Sequence, residues 1–149
     1  MPEVRQAGLA DADVIAAHAA GLAQSFAFCR ADFDLSYPAL LAERDACILV
    51  AAQDGDCIGY LLGFCHLTFF ANGPVGWVEE VMVRREHRGR GIGRDLMSAF
   101  ERWAAARGCT LVALATRRAA PFYLAIGYQE SAAYLRKVLN PGAQRPGAA

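Results

Sequence analysis

A turn rich in glycine and arginine lies near the middle of the chain, between an apolar stretch and an amphipathic one. Residues 88–94 read RGRGIGR, with glycine at every second position, and they come shortly after the apolar run VEEVMV. Glycine adopts left-handed backbone conformations without strain and lets a ligand approach the main chain closely. Placed before a helix, such a turn presents unpaired N–H groups and the positive end of the helix dipole. The turn therefore predicts a strand, an anion-binding loop and a helix, in that order.

The spacing of the glycines excludes two common phosphate-binding loops. A Walker loop needs Gly-Lys followed by Ser or Thr, which this turn lacks. A dinucleotide fingerprint needs GxGxxG after a parallel strand, whereas Gly89, Gly91 and Gly93 are evenly spaced and follow a hairpin strand. The arginines of the turn could add charge-assisted hydrogen bonds to phosphate. We therefore expect a pyrophosphate bound by another kind of loop.

The pattern of apolar residues along the whole chain predicts a mixed α/β sheet with helices packed on it. Strands are expected at residues 4–7, 47–53, 57–70, 75–83 and 110–116, with two more from Tyr128 onward, the second being AYLRKVL. Helices are expected from Asp11 to about Gln24 and over residues 36–42, 92–107 and 119–125. Hairpin turns are expected at Asp54-Gly55-Asp56 and Asn72-Gly73-Pro74. We expect one domain over residues 2–139 and a flexible tail over residues 140–149.

Composition narrows the classes of function. The chain has 149 residues, and fifteen Lys and Arg balance fifteen Asp and Glu, which argues against a nucleic-acid binder. Five scattered cysteines and three histidines give neither a zinc spacing nor a disulfide framework, so no metal is expected. Acidic residues near the start do not resemble a signal peptide, and no apolar run is long enough to span a bilayer. The expected compartment is the cytoplasm, with no membrane partner.

Two motifs resemble the GNAT superfamily, the acetyl-coenzyme A (acetyl-CoA)-dependent N-acetyltransferases. Arg88-x-x-Gly91-x-Gly93 matches the family's Q/R-x-x-G-x-G/A motif, and Val81-x-Val83 matches the strand before it. Residues 119–123, AAPFY, followed by Gly-Tyr, resemble the family's second signature. The expected order of elements agrees with that family across nearly the whole chain. The resemblance implies a GNAT-like fold whose sheet is splayed between the fourth and fifth strands.

The resemblance also implies where acetyl-CoA binds as cosubstrate. Its pyrophosphate is expected on the N–H groups of residues 88–94, and its pantetheine arm along the fourth strand. A bulge in that strand frees an N–H near Met82 that could bind the thioester oxygen. Thr116 stands where the family often has asparagine, which changes any contact made by that amide. The cofactor-binding residues expected are Val81, Met82, Val83, Arg88, Gly89, Arg90, Gly91, Ile92, Gly93, Arg94, Thr116, Phe122 and Tyr123.

The resemblance implies direct attack of an amine on the thioester through a tetrahedral intermediate. The amine must be neutral to attack, so a carboxylate near the thioester is needed to take its proton. Glu79 and Glu80 both lie on the fourth strand, and a bulge there would reset which face each one occupies. Either glutamate could therefore be the base. By resemblance, the hydroxyl of Tyr123 lies near the sulfur and protonates the departing thiolate.

The acceptor is expected to be a small amine: a metabolite, an amino acid or a drug. An aromatic and acidic set suits a small cation through cation–π and charge contacts; its members are Phe28, Asp32, Tyr37, Phe70 and Trp77. A protein N-terminus or lysine is the next acceptor class. An acetyl-CoA-binding sensor or assembly module without turnover is the alternative function. A homodimer could form through the third strand or the C-terminal strands.

Overall fold

The computed structural model describes residues 1–22 and 25–143 and is built around a five-stranded sheet. In spatial and chain order the strands are β1 (Glu3–Gln6), β2 (Ala46–Gln53), β3 (Asp56–Thr68), β4 (Gly73–Val83) and β5 (Val112–Leu114). The helices are α1 (Ala12–Leu22), α2 (Arg30–Ala42), α3 (Ile92–Ala106) and α4 (Ala120–Ala125). Strands β1 to β4 pair antiparallel, and β5 pairs parallel to β4. The expected mixed, mostly antiparallel sheet flanked by helices is confirmed.

Both hairpins form where the turn residues predicted them. Gln53 pairs with Asp56, so Asp54 and Gly55 make a two-residue turn with φ of 52° and 79°. Positive φ at both central residues is the geometry that matches the twist of the flanking strands. The β3–β4 hairpin closes at Asn72, which also has a positive φ, of 59°. In the part of the chain that the structure describes, no helix is long and apolar enough to cross a membrane.

The sheet is covered on both faces, which explains the unbroken apolar run in β2. Leu49 and Ala51 join the core cluster that contains residues of α3, whereas Ile48 and Val50 pack with residues of α1 and α2. Successive side chains of a strand point to opposite faces, so a strand buried on both sides has no polar position. Helix α3 contributes its apolar face to the first cluster, as its sequence spacing predicted.

A bulge and a divergence occur together in β4. Leu62 pairs with Glu80 and Gly63 with Val78, so Glu79 is an extra residue opposite β3. Strand β5 pairs with β4 over Gly76 to Val78 and ends there. From Glu79 to Val83, no described strand pairs with that edge of β4. The expected splay between the fourth and fifth strands is confirmed, and it begins at the bulge.

Helix α2 is longer than expected. The sequence predicted a helix from residue 36, whereas α2 begins at Arg30. Two contacts one helical turn apart stabilise the added residues: a 2.7 Å ion pair between Arg30 and Asp34, and stacked rings of Phe33 and Tyr37 with centroids 5.2 Å apart. The aromatic residues here are spaced at i and i+4, a helical period hidden by the acidic residues between them.

The two C-terminal strands expected after Tyr128 do not form. Residues 129–138 contain no helix or strand, and the side chains of Tyr134, Leu135 and Leu139 are exposed. A strand needs a neighbour that offers a ladder of backbone groups, and β5, the last strand before this segment, has only three residues. The apolar spacing of AYLRKVL therefore gave a wrong prediction. Of the expected tail, residues 144–149 lie outside the described residues, as do the last residues expected in the first helix, 23 and 24.

Candidate active site

The glycine turn places an open backbone surface at the start of α3. Gly91 is the N-cap of this helix with φ of 85°, and Gly89 has φ of 76°. Residues with a side chain adopt this left-handed region at a cost of about 1–2 kcal/mol. A Cβ at either glycine would meet no atom within 4 Å, so space is open in front of the main chain. The turn thus provides both the conformation and the room for a bound anion.

Most N–H groups of this turn have no acceptor among the described residues. Among the described residues, the backbone N–H groups of residues 89–94 donate no hydrogen bond, and no side chain caps α3. The N–H of Arg88 differs because it donates to the carbonyl of Arg85. The first N–H groups of a helix lack intrahelical partners and are satisfied by caps, water or ligands. A continuous row of free donors at a helix N-terminus is an anion-binding arrangement.

The arginines of the turn have separate roles. The Nε of Arg88 donates to the carbonyl oxygen of Val83 at 2.9 Å, which fastens the turn to the end of β4. Arg90 and Arg94 are exposed, and neither forms an ion pair within the described residues. Their guanidinium groups are therefore available to a phosphate that binds the neighbouring N–H groups.

Three elements meet beside this turn. A Cβ at Gly93 would lie 3.2 Å from Cζ of Phe122 and 3.9 Å from a methyl carbon of Val83, so α3, α4 and the end of β4 are in contact there. Thr116 lies just before α4, and its Oγ1 accepts a hydrogen bond from the N–H of Ala119 at 3.0 Å. Three of the expected cofactor-binding residues, Val83 of β4, Gly93 of the turn and Phe122 of α4, are thus brought to one place.

Tyr123 of α4 combines a half-buried ring with a free hydroxyl. Its ring packs edge-to-face against Phe122 and Tyr128, with centroids 4.9 and 5.8 Å away. Burial raises the pKa of Tyr123 above its usual value, which keeps the hydroxyl protonated near neutral pH. No hydrogen bond of this hydroxyl occurs among the described residues. Within the described part of the chain, Tyr123 is therefore a proton donor without a partner.

The two glutamates of β4 have different surroundings. Glu79, in the bulge, is exposed and accepts a 2.8 Å hydrogen bond from the indole N–H of Trp77. Glu80 accepts a 2.7 Å hydrogen bond on Oε1 from the hydroxyl of Tyr60 and lines a cavity. Both burial and the Glu80 charge raise the pKa of Tyr60, so its hydroxyl remains a donor. The structure thus separates two carboxylates that the sequence left equivalent.

The cavity beside Glu80 has a volume of about 500 Å³. It lies between the sheet and the two N-terminal helices, and aromatic rings form much of its wall: Phe26, Phe28, Phe33, Tyr37 and Tyr60. Its acidic residues among those described are Asp32 at the exposed start of α2 and Glu80 on β4. Ligand sites are commonly concave and mostly apolar, with a few polar groups that orient the ligand.

Three of the five residues expected to bind the acceptor line this cavity: Phe28, Asp32 and Tyr37. The other two do not. Phe70 is 76% exposed in the β3–β4 turn, and Trp77 is bonded to Glu79. Sequence reasoning did not single out Tyr60, which holds Glu80. A tyrosine within an otherwise apolar strand was a signal for it, because a buried phenol needs a hydrogen-bond partner.

Comparison with known proteins connects this geometry to a family. The model of the Acetyltransferase (GNAT) family matches residues 17–128. An aminoglycoside N(6')-acetyltransferase type 1 from Stenotrophomonas maltophilia is 30% identical over 113 residues, covering 69% of this chain and 74% of that relative. Mouse (Mus musculus) N-alpha-acetyltransferase 80 is 48% identical over 52 residues, covering 35% of this chain and 17% of that longer protein.

A solved structure has the same fold. The protein AAC(6')-Iy, in complex with the bisubstrate analogue CoA-S-monomethyl-acetylneamine, aligns with a TM-score of 0.79. The alignment covers 93% of this chain and 99% of that chain at 21% sequence identity. At this identity the likeness concerns the fold, which the two chains share along nearly their whole lengths.

Proposed function

The chain belongs to the GNAT family of acetyltransferases, and on that premise we propose that it transfers the acetyl group of acetyl-CoA to the primary amine of a small molecule. Family membership confirms the resemblance carried by the two sequence motifs and makes the protein an N-acetyltransferase. The observation that carries the proposal is the row of unpaired N–H groups at residues 89–94 beside the open edge of β4. Acetyl-CoA would supply an activated acetyl thioester there.

The protein groups at the turn fit the pyrophosphate of that cosubstrate. The free N–H groups of residues 89–94 would donate to its oxygens, and the guanidinium groups of Arg90 and Arg94 would balance its charge. The pantetheine arm would lie along residues 81–83, where no described strand pairs with β4 on the β5 side. Backbone groups freed by the splay would hydrogen-bond the arm and the thioester oxygen.

Glu80 is proposed as the base that removes a proton from the acceptor amine. It lines the cavity, whereas Glu79 is exposed outside it. The hydroxyl of Tyr60 holds Oε1 of Glu80, which leaves Oε2 to accept a proton from the amine directly or through a water molecule. The pair thus combines a fixed carboxylate with a free oxygen.

Tyr123 is proposed as the acid that protonates the departing thiolate. Its ring packs against the core cluster that also contacts Val81 and Val83, whereas Glu80 is bonded to Tyr60 in the cluster on the other face. The proposed base and acid therefore approach β4 from opposite faces of the sheet. A phenol with a pKa near or above 10 can still protonate a thiolate whose conjugate thiol has a pKa of about 8.5.

The acceptor class rests on the cavity and on the relatives. The aminoglycoside acetyltransferase relative supports a small-molecule amine. The match to N-alpha-acetyltransferase 80 favours a protein N-terminus as the second candidate, over a shorter part of the chain. A cavity of about 500 Å³ lined by side chains favours the small molecule, since it falls in the range of about 300–1,000 Å³ typical of ligand pockets.

The test begins with cosubstrate binding. We expect acetyl-CoA to raise the melting temperature of the full chain, with a stabilisation of about 2.7 kcal/mol at a hundred times its Kd. NAD and ATP should give no comparable shift. Gly91→Trp should abolish the shift by filling the open space at the turn. Gly55→Trp is the matched control, because Gly55 has a similar φ of 79° and open surroundings in the β2–β3 hairpin.

Release of free CoA thiol in the presence of amines then tests turnover. Absence of an acetyl-CoA shift in a chain that melts cooperatively would remove the proposed function. A shift without thiol release from any amine or peptide would favour a binding module over an enzyme.

A further inference from the structure

The wall of the acceptor cavity is mostly hydrocarbon. Besides the aromatic rings, its apolar residues include Ile15 and Leu22 of α1, Leu40 of α2, Ile48 of β2 and Leu62 of β3. The rings themselves form a continuous surface: the centroids of Phe28 and Phe33 are 5.9 Å apart, and those of Phe33 and Tyr37 are 5.2 Å apart. Such a wall binds apolar ligand surface and offers it few hydrogen bonds.

The phenol hydroxyls of the cavity are used by the protein itself. The hydroxyl of Tyr37 donates to the carbonyl of Gly8 at 2.7 Å, and that of Tyr60 donates to Glu80 at 2.7 Å. Among the described lining residues, the side-chain groups left for a ligand are the second oxygen of Glu80, the carboxylate of Asp32, the hydroxyl of Ser36 and the thiol of Cys29. This is a small set, and Asp32 is exposed at the mouth.

Two further carboxylates of α1 and α2, which do not line the cavity, are paired with an arginine. Arg30 forms ion pairs of 2.6 Å with Asp13 and 2.7 Å with Asp34. A polycationic aminosugar would bring several ammonium groups and many hydroxyls into a space that supplies partners for few of them. Burying a polar group without a partner is unfavourable, so such a ligand is disfavoured.

We infer that the acceptor is a primary monoamine with an apolar, ring-bearing body: an arylalkylamine rather than an aminosugar. This inference rests on the proposed acetyl transfer and names the substrate class of the same site. The amine would lie at Glu80, next to the open edge of β4, and the ring would lie against Phe28, Phe33 and Tyr37. The inferred substrate class differs from the aminoglycosides for which the Stenotrophomonas maltophilia relative is named.

The test compares amines at fixed acetyl-CoA by following thiol release from the full chain. 2-Phenylethylamine should have a kcat/KM at least about tenfold above those of ethylamine and kanamycin A, because burying the ring contributes about 1.5–3 kcal/mol. Phe28→Ala should raise KM for 2-phenylethylamine about tenfold and leave KM for ethylamine nearly unchanged. Phe69→Ala is the matched control, since Phe69 is fully exposed in the β3–β4 turn, away from the cavity.

The outcomes separate this inference from the proposed function. An acetyl-CoA-dependent melting shift with kanamycin A as the better substrate, or with no turnover of 2-phenylethylamine, overturns the inference and leaves cosubstrate binding intact. Equal KM effects of Phe28→Ala on both simple amines also overturn it. Absence of the acetyl-CoA shift removes the proposed function, and the inference with it.

Discussion

The hydroxyl of Tyr60 in β3 donates a 2.7 Å hydrogen bond to Oε1 of Glu80 in the neighbouring strand β4. Tyr60 is 2% exposed, so the bond joins the packed interior of the sheet to the rim of the cavity. A buried phenol fixed by packing allows its carboxylate partner little freedom to rotate. The bond therefore sets the direction of the second oxygen of Glu80.

Glu80→Gln should lower kcat/KM for a turned-over amine by about 10²-fold or more, the usual contribution of a general base. The amide keeps the size of the side chain and can still accept the Tyr60 hydrogen bond, so folding should be preserved. Glu79→Gln is the matched control and should change kcat/KM less than about threefold, because Glu79 is exposed and bonded to Trp77. Steady-state kinetics of both variants provide the measurement. A larger loss of kcat/KM in Glu79→Gln than in Glu80→Gln would assign the base to Glu79.

Tyr123→Phe should lower kcat by about 10²-fold through loss of the proton donor, with Tyr134→Phe as an exposed control. Burial raises the pKa of Tyr123, and a raised pKa keeps the neutral donor form to higher pH. Wild-type kcat should therefore show no fall caused by Tyr123 below pH about 10. A fall centred near pH 8 that disappears in Tyr123→Phe would contradict this assignment.

Arg94→Gln should weaken acetyl-CoA binding about three- to tenfold at low salt, because it removes a charge beside the free N–H groups of the turn. The difference from wild type should shrink as salt screens the exposed guanidinium. Arg102→Gln changes another exposed arginine of the same helix, two turns further on, and should leave Kd unchanged. Titrations at two salt concentrations provide the measurement, and equal effects of the two variants would argue against the turn as the phosphate site.

Alkylation of Cys29 should block amine turnover without preventing acetyl-CoA binding. Cys29 is exposed and lines the acceptor cavity. Burial raises the pKa of Cys47 to about 12 and that of Cys109 to about 11, so these thiols form little reactive thiolate at neutral pH. Brief treatment with N-ethylmaleimide should label Cys29 first, and Cys29→Ser should keep its turnover under the same treatment. If labelling abolished the acetyl-CoA melting shift, the label on Cys29 would interfere with cosubstrate binding, which would contradict its assignment to the acceptor cavity.

Asp11→Asn should destabilise the fold by about 1–3 kcal/mol at pH 7. The carboxylate accepts two 2.9 Å hydrogen bonds from Arg5 and one of 2.8 Å from the N–H of Gly8. The hydrogen bonds from Arg5 are the main reason that the pKa of Asp11 is lowered, with a smaller contribution from Gly8. A lowered folded-state pKa gives stability that is present above the unfolded value of about 3.9 and is lost as pH falls below it.

Denaturation at pH 7 and pH 3 measures this contribution. The difference between wild type and Asp11→Asn should be full at pH 7 and reduced at pH 3. Asp13→Asn serves as control, since Asp13 is 91% exposed and its ion pair with Arg30 should contribute little. A difference that is the same at both pH values would mean that the carboxylate charge does not act through Arg5.

The elements that could be predicted from the sequence are those set by local chemistry. The glycine turn, the two hairpins and the start of α3 at Ile92 follow from residues that favour one backbone conformation, and the structure has them where expected. The absence of the two expected C-terminal strands could not be predicted in this way. Their apolar spacing was present, but a strand depends on a neighbour with free backbone groups, which no local pattern encodes.

The same distinction between local motifs and long-range contacts holds for the candidate site. The residues around the turn come from continuous motifs, and the structure brings Val83, Gly93 and Phe122 together. The acceptor side is assembled from helices and strands distant in sequence, so aromatic composition alone placed Phe70 and Trp77 with Phe28. The role of Tyr60 depends on the register between β3 and β4, which cannot be read from a local sequence pattern.

The extra residue in β4, Glu79, reverses which face of the sheet the following side chains occupy. Val78 packs with the core cluster under α3, and so do Val81 and Val83, although Val78 and Val81 are separated by an odd number of positions. Glu80 occupies the opposite side, where it meets Tyr60. In a strand of unbroken alternation, Glu80 would share the side of Val78 and would be buried near Phe100. Deleting Glu79 would remove the bulge and leave Glu80 on the side of the cavity, because Glu80 would then directly follow Val78. The bulge thus lets the strand carry one more carboxylate without turning a charge into the core.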